Sequence, residues 1–185
     1  MRFRGFISAD LPRLEPLEIV LRELRTSGAD LRLVPTEHLH ATLKFLGDTD
    51  DRLVPEIVQI LRDACGDLRT FPVRIQGAGA FPTLSRMNVI WIGIGGADAL
   101  GRIAGILDER LADLGFPRER RQWVPHVTIA RVKGGRNLDR VRQILQAHAQ
   151  DMFGEAIVDA IRLKRSVLSP SGSTYSDVEV VRLPG

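Results

Sequence analysis

The chain has 185 residues, 44% of them hydrophobic and 26% charged, with a formal net charge of +3. That length can bury a core in one globular domain or in two tightly joined lobes, and one bilobal domain over residues 1–185 is expected. The only cysteine is Cys65, which excludes a disulfide scaffold and a thiolate zinc site. The opening "MRFRGFISADLP" lacks the apolar run of a signal peptide, and no apolar segment is long enough to span a bilayer. A cytoplasmic protein without membrane attachment is therefore expected. The basic residues are mostly arginine, with lysine only at 44, 133 and 164. This allows a phosphate-bearing partner without requiring one.

In chain order, "FRGFISA" (3–9) has strand composition, and Asp10 with Pro12 reads as a helix-start signal. Leu17, Val20, Leu21 and Leu24 recur at helical spacing up to about Arg25, with Gly28 just beyond. "LRLV" is a short strand stopped by Pro35, "HATLKFLG" is the next strand, and residues 50–64 read as a second amphipathic helix. "PVRIQGAGAF" and "MNVIWIGIGG" are strands joined by the turn "PTLS". Leu100, Ile103, Leu107, Leu111 and Leu114 mark a third helix ending at Gly115 and Pro117. The polar loop "PRERRQW" leads into the strand "HVTIARV", and Leu138, Val141 and Leu145 mark a fourth helix. "AIVDAIRLKRSVLS" and "SDVEVVRL" close the chain as a hairpin around the turn "PSGST". Helices mixed with hairpins predict an α+β fold rather than a doubly wound parallel sheet.

The informative feature is an echo. "HATLKFL" at 40–46 returns as "HVTIARV" at 126–132, in a chain with four histidines. Side chains alternate along a strand, so His40 and Thr42 share one face, as do His126 and Thr128. The same alternation puts Lys44 beside His40 and Thr42, with Leu39, Ala41, Leu43 and Phe45 on the core side. Arg131 has the wrong parity for the His126 face unless a bulge intervenes. The economical arrangement is a duplicated lobe, with both His–Thr faces lining one cleft. Imidazole titrates near neutrality, so one ring can act as general base while the other acts as general acid. Threonine hydroxyls and a nearby cation suit phosphoryl oxygens. In-line displacement at phosphorus fits this layout.

On "FRGFISADLP", "LHATLKFLGD", "VIWIGI", "LGFP", "PHVTIARVK" and "SVLSPSGSTYSDVEV", the sequence resembles the two-histidine phosphoesterase superfamily. Within it, the chain is similar to the RNA 2′,3′-cyclic phosphodiesterase group, historically described as 2′-5′ RNA ligases. The resemblance implies a bilobal, pseudo-two-fold pair of antiparallel sheets with outer helices around a central cleft. It implies metal-independent hydrolysis of RNA 2′,3′-cyclic phosphate ends to 2′-phosphate, with no cofactor. His40 would then donate a proton to the leaving 3′ oxygen, His126 would activate water, and Thr42 and Thr128 would hold the phosphate. Implied substrates are RNA ends, tRNA fragments among them, or small cyclic nucleotides. His38 and Ala41 depart from the residues common in relatives.

Other roles stay open at this point. Lys44 and Arg131 are candidate phosphate contacts or ordinary surface cations, and Tyr175 is the most exposed candidate for stacking on a base. Phe3, Phe81 and Trp91 fit core or rim packing. Arg118, Arg120 and Arg121 fit either RNA steering or a solvated loop. His148, near a helix end, reads as structural, and "IGIGG" as a strand exit. Two rival functions remain. One is a zinc hydrolase using His38, His40 and His126. The other is a module that binds RNA ends without turnover. No heptad or edge-pairing signal argues for a dimer, so a monomer is expected.

Overall fold

The computed structural model describes residues 1–169 and 172–185. Pro170 and Ser171, within the expected turn "PSGST", lie outside the described residues. The strands are β1 (Arg2–Asp10), β2 (Leu31–Leu33), β3 (His40–Asp50), β4 (Phe71–Thr83), β5 (Arg86–Gly95), β6 (His126–Val132), β7 (Met152–Val158), β8 (Ala160–Ser169) and β9 (Gly172–Arg182). The helices are α1 (Glu15–Thr26), α2 (Val54–Cys65), α3 (Asp98–Arg110) and α4 (Leu138–Ala147).

All the strand pairings are antiparallel and build two sheets. One has the order β3-β1-β8-β9, the other β2-β6-β5-β4-β7. Each sheet carries one H-x-T strand, and β3 lies against β6 where the sheets meet. Helices α2 and α3 cover the first sheet, against β3, β8 and β9, while α1 and α4 pack together on β4 and β7 of the second. The apolar stripe Leu17, Val20, Leu21 and Leu24 is fully buried on α1, as helical periodicity requires of a core-facing helix. The α+β class, the two antiparallel sheets and the outer helices are as expected.

The lobes, however, are not the two halves of the chain. β2 leaves the N-terminal half to edge the second sheet, and β8 and β9 return to flank β1 in the first. The run "AIVDAIRLKRSVLS" is not one strand. It breaks at Asp159, with β7 paired to β4 in one sheet and β8 to β1 in the other. Alternation continues unbroken through the crossing (Ala156, Val158 and Ala160 all buried), so burial periodicity carries no sign of it. Asp10 does not start a helix. It ends β1 opposite His40, and α1 begins at Glu15, with Pro16 in its first turn and no side-chain cap. Among the described residues no helix is long and apolar enough to cross a membrane.

Candidate active site

A one-residue bulge shapes each motif strand. In β3, Ser8 pairs with Thr42 but Ile7 pairs with Lys44, so Leu43 is the extra residue. In β6, Trp91 pairs with Thr128 but Ile90 pairs with Ala130, so Ile129 is extra. A bulge reverses the parity of everything beyond it. His40 and Thr42 therefore face the cleft together with Phe45, and His126 and Thr128 together with Arg131.

This corrects two expectations. Lys44 does not share the face of His40 and Thr42. It is turned to the back of β3 and is 1% exposed, with Nζ 2.6 Å from Asp108 Oδ1 and 2.6 Å from the Pro117 carbonyl oxygen. Phe45, expected on the core side, is 56% exposed at the cleft. For Arg131 the bulge supplies the parity that strict alternation denied it.

The cleft has a volume of about 350 Å³ and brings together His40, Thr42, His126, Thr128, Arg131 and Tyr175. Arg4, Phe6 and Ser166 also line it, residues inside segments that carry the resemblance but not singled out as site residues. The two imidazoles are held alike. His40 Nδ1 lies 2.7 Å from the carbonyl oxygen of His38, and His126 Nδ1 lies 2.7 Å from that of Val124. A carbonyl only accepts, so Nδ1 carries the proton in both rings and Nε2 is left free for chemistry. Each ring also has an aromatic neighbour: Phe6 at 5.0 Å from His40 and Phe81 at 5.0 Å from His126. Tyr175 packs edge-on against His40, Phe6 and His38, at 5.4, 5.2 and 5.3 Å.

Burial pushes both rings below the ordinary histidine pKa. For His40 the bond to His38 and the charge of Asp10 oppose that shift in part, while Lys164 adds to it. For His126 only the bond to Val124 opposes it. Asp10 itself is bound by Lys164 at 2.5 Å and Arg162 at 3.3 Å.

His38 is not a strand residue. It ends a short 3-10 turn (Thr36–His38), and its backbone, rather than its imidazole, serves His40. Among the described residues no three His, Cys, Asp or Glu side chains come close enough to share a metal ion, so the fold does not assemble the three-histidine set. Trp123 anchors the arginine-rich loop by donating its indole N–H to the Thr42 carbonyl at 2.9 Å. Arg118 in that loop lies 3.4 Å from Asp108. Phe3 is buried under the Arg165 guanidinium, and Phe81 and Trp91 pack together beside His126. His148 is clamped between Glu23 and Asp151.

The sequence model of the 2′-5′ RNA ligase superfamily matches residues 13–166. A Methanothermobacter thermautotrophicus protein named RNA 2′,3′-cyclic phosphodiesterase is 34% identical, over 99% of this chain and 100% of its own length. One of the same name from Aeropyrum pernix is 35% identical, over 84% of this chain and 88% of its own. Among solved structures, a Thermus thermophilus protein superposes with a TM-score of 0.77 at 26% identity, covering 98% of each chain. Escherichia coli LigT has the same fold, with a TM-score of 0.76 at 21% identity and 99% of both chains covered. With a family match across most of its length and a relative 34% identical that aligns end to end, the chain belongs to the 2′-5′ RNA ligase superfamily.

Proposed function

We propose that the chain is an RNA 2′,3′-cyclic phosphodiesterase, working as one bilobal unit, that opens the cyclic phosphate to a 2′-phosphate without a metal ion. The observation that carries the mechanism is the matched tethering of the two rings, each donating from Nδ1 to the carbonyl two residues earlier. This fixes both tautomers and leaves both Nε2 atoms available in one cleft. Neutral His126 takes a proton from water as the water oxygen bonds to phosphorus. The P–O3′ bond breaks on the opposite side, and protonated His40 gives its Nε2 proton to the 3′ oxygen. Thr42 and Thr128 donate hydrogen bonds to the non-bridging oxygens, and Arg131 lends the cleft a positive field. Tyr175 holds the His40 ring and borders the sugar and base.

A cavity of about 350 Å³ suits one terminal nucleotide. The substrate range therefore takes in RNA fragments with such ends, tRNA halves included, and small 2′,3′-cyclic nucleotides. The test is incubation of a 2′,3′-cyclic-phosphate-ended RNA with the chain in EDTA, with the product's phosphate position determined. A 2′-phosphate is expected, with about 10²–10⁴-fold loss in His40→Ala or His126→Ala. Activity abolished by EDTA and restored by zinc would overturn the metal-free mechanism. Tight binding without turnover would make the chain a binding module.

A further inference from the structure

Strand β2 pairs with β6 so that Arg32 stands directly opposite Arg131. Directly opposed residues of an antiparallel pair project on the same face, and like charges there repel. Arg131 lines the cleft. So does Val34, just past the end of β2. The pairing across the sheet puts the Arg32 side chain on the cleft's face. Both arginines are exposed. Among the described residues neither forms an ion pair or a side-chain hydrogen bond. The nearby acid Asp30 is turned toward Gly134 instead. Strand β2 is the edge of its sheet, so Arg32 marks the border where a bound strand would leave the cavity.

We propose that Arg32 and Arg131 together form a second anion subsite, which takes the phosphodiester one nucleotide to the 5′ side of the cyclic end. The pair rests on the reading of the cleft as a cyclic-phosphate site, and adds to it a means of preferring RNA over a mononucleotide. Two arginines paired across neighbouring strands repel until an anion lies between their guanidiniums. A backbone phosphate bridging both relieves that repulsion and accepts from both forks.

The test compares a 2′,3′-cyclic mononucleotide with a trinucleotide ending in the same cyclic phosphate, on wild type, Arg32→Gln and Arg32→Lys. In Arg32→Gln the trinucleotide KM is expected to rise about tenfold relative to the mononucleotide KM, the effect of losing one charged contact. The salt dependence of the trinucleotide KM is expected to flatten by about 0.7 in log–log slope. Arg32→Lys keeps that slope. With the repulsion relieved, Arg32→Gln unfolds at the same temperature as wild type or a higher one. Equal changes for both substrates, or no change for either, would overturn the subsite. Should wild type hydrolyse neither substrate, the activity reading fails by itself. Calorimetric binding of the 2′-phosphate forms of the two ligands then decides Arg32 by the same ratio.

Discussion

Lys44 of β3 and Ala130 of β6 occupy the same place, one residue past the bulge that follows each motif threonine, and both are buried behind their strand. One lobe fills that place with a methyl group. The other fills it with a cation reaching Asp108 on α3 and the Pro117 carbonyl, which fastens the start of the arginine-rich loop to the first sheet. Burial alone would raise the Asp108 pKa, but the Lys44 ammonium, the Glu119 N–H and Arg118 hold it below the ordinary carboxylate value.

Lys44→Met is therefore expected to cost stability rather than substrate affinity. Losing the Nζ donor to the Pro117 carbonyl and Asp108 costs about 1–3 kcal/mol, read as a lower urea midpoint at unchanged slope. KM for a cyclic phosphate stays within about twofold. A large KM effect without loss of stability would restore Lys44 as a phosphate contact.

The pH profile of kcat/KM is expected to be a bell displaced to the acid side of one built from ordinary histidines. His126 must be neutral to accept a proton, so activity rises through its lowered pKa. His40 must be protonated to donate, so activity falls through its lowered pKa. Both limbs move in the same direction. A maximum on the alkaline side of the ordinary imidazole range would contradict this assignment of roles.

His148 is expected to act on stability with the opposite sign. Burial alone would lower its pKa, but Asp151 at 2.7 Å and Glu23 at 2.8 Å raise it overall. A raised folded pKa gives stability that is complete below the unfolded value and lost as pH climbs through the folded one. Denaturant midpoints of wild type are thus expected to fall as pH rises above the ordinary imidazole value of about 6.5 and through the raised folded one. His148→Gln removes this part of the slope, while an unchanged slope would show that the clamp contributes nothing.

Gly79→Ala tests the floor under the second motif. A Cβ there would sit 2.3 Å from Cζ2 of Trp91, whose residue pairs with Thr128. The indole has to move, at a cost of about 1–3 kcal/mol. A shifted tryptophan emission, together with lower thermal stability and lower kcat, is the expected signature.

Most of the fold was legible because burial follows periodicity. The α1 stripe and the α3 face through Leu100, Ile103 and Leu107 sit where helical spacing puts them, and each H-x-T strand follows alternation as far as its threonine. Period-two reasoning assumes an unbroken pleat, and it failed at Leu43 and Ile129, where one extra residue exchanges the faces of Lys44 with Phe45 and of Ala130 with Arg131. The echo held the clue. Setting the two copies in register puts Lys44 against Ala130 and Phe45 against Arg131, so the basic residues of the two copies never occupied equivalent positions. The lobe crossing at Asp159 was hidden for a different reason. Which sheet a strand joins depends on distant partners, and nothing local separates Val158 from Ala160. Arg32 gave no local signal either, since the role proposed for it rests on facing Arg131 across two strands 99 positions apart in the numbering.

The return of β8 and β9 to flank β1 has a bearing on the order in which the site is assembled. Every strand of the second sheet has left the synthetic machinery once residue 158 has emerged, so the His126 half can form early. The His40 half lacks its β8 neighbour and Tyr175 until residues 160–182 follow. A nascent chain therefore holds one finished half-site and one open sheet edge, and the closing hairpin completes both at once.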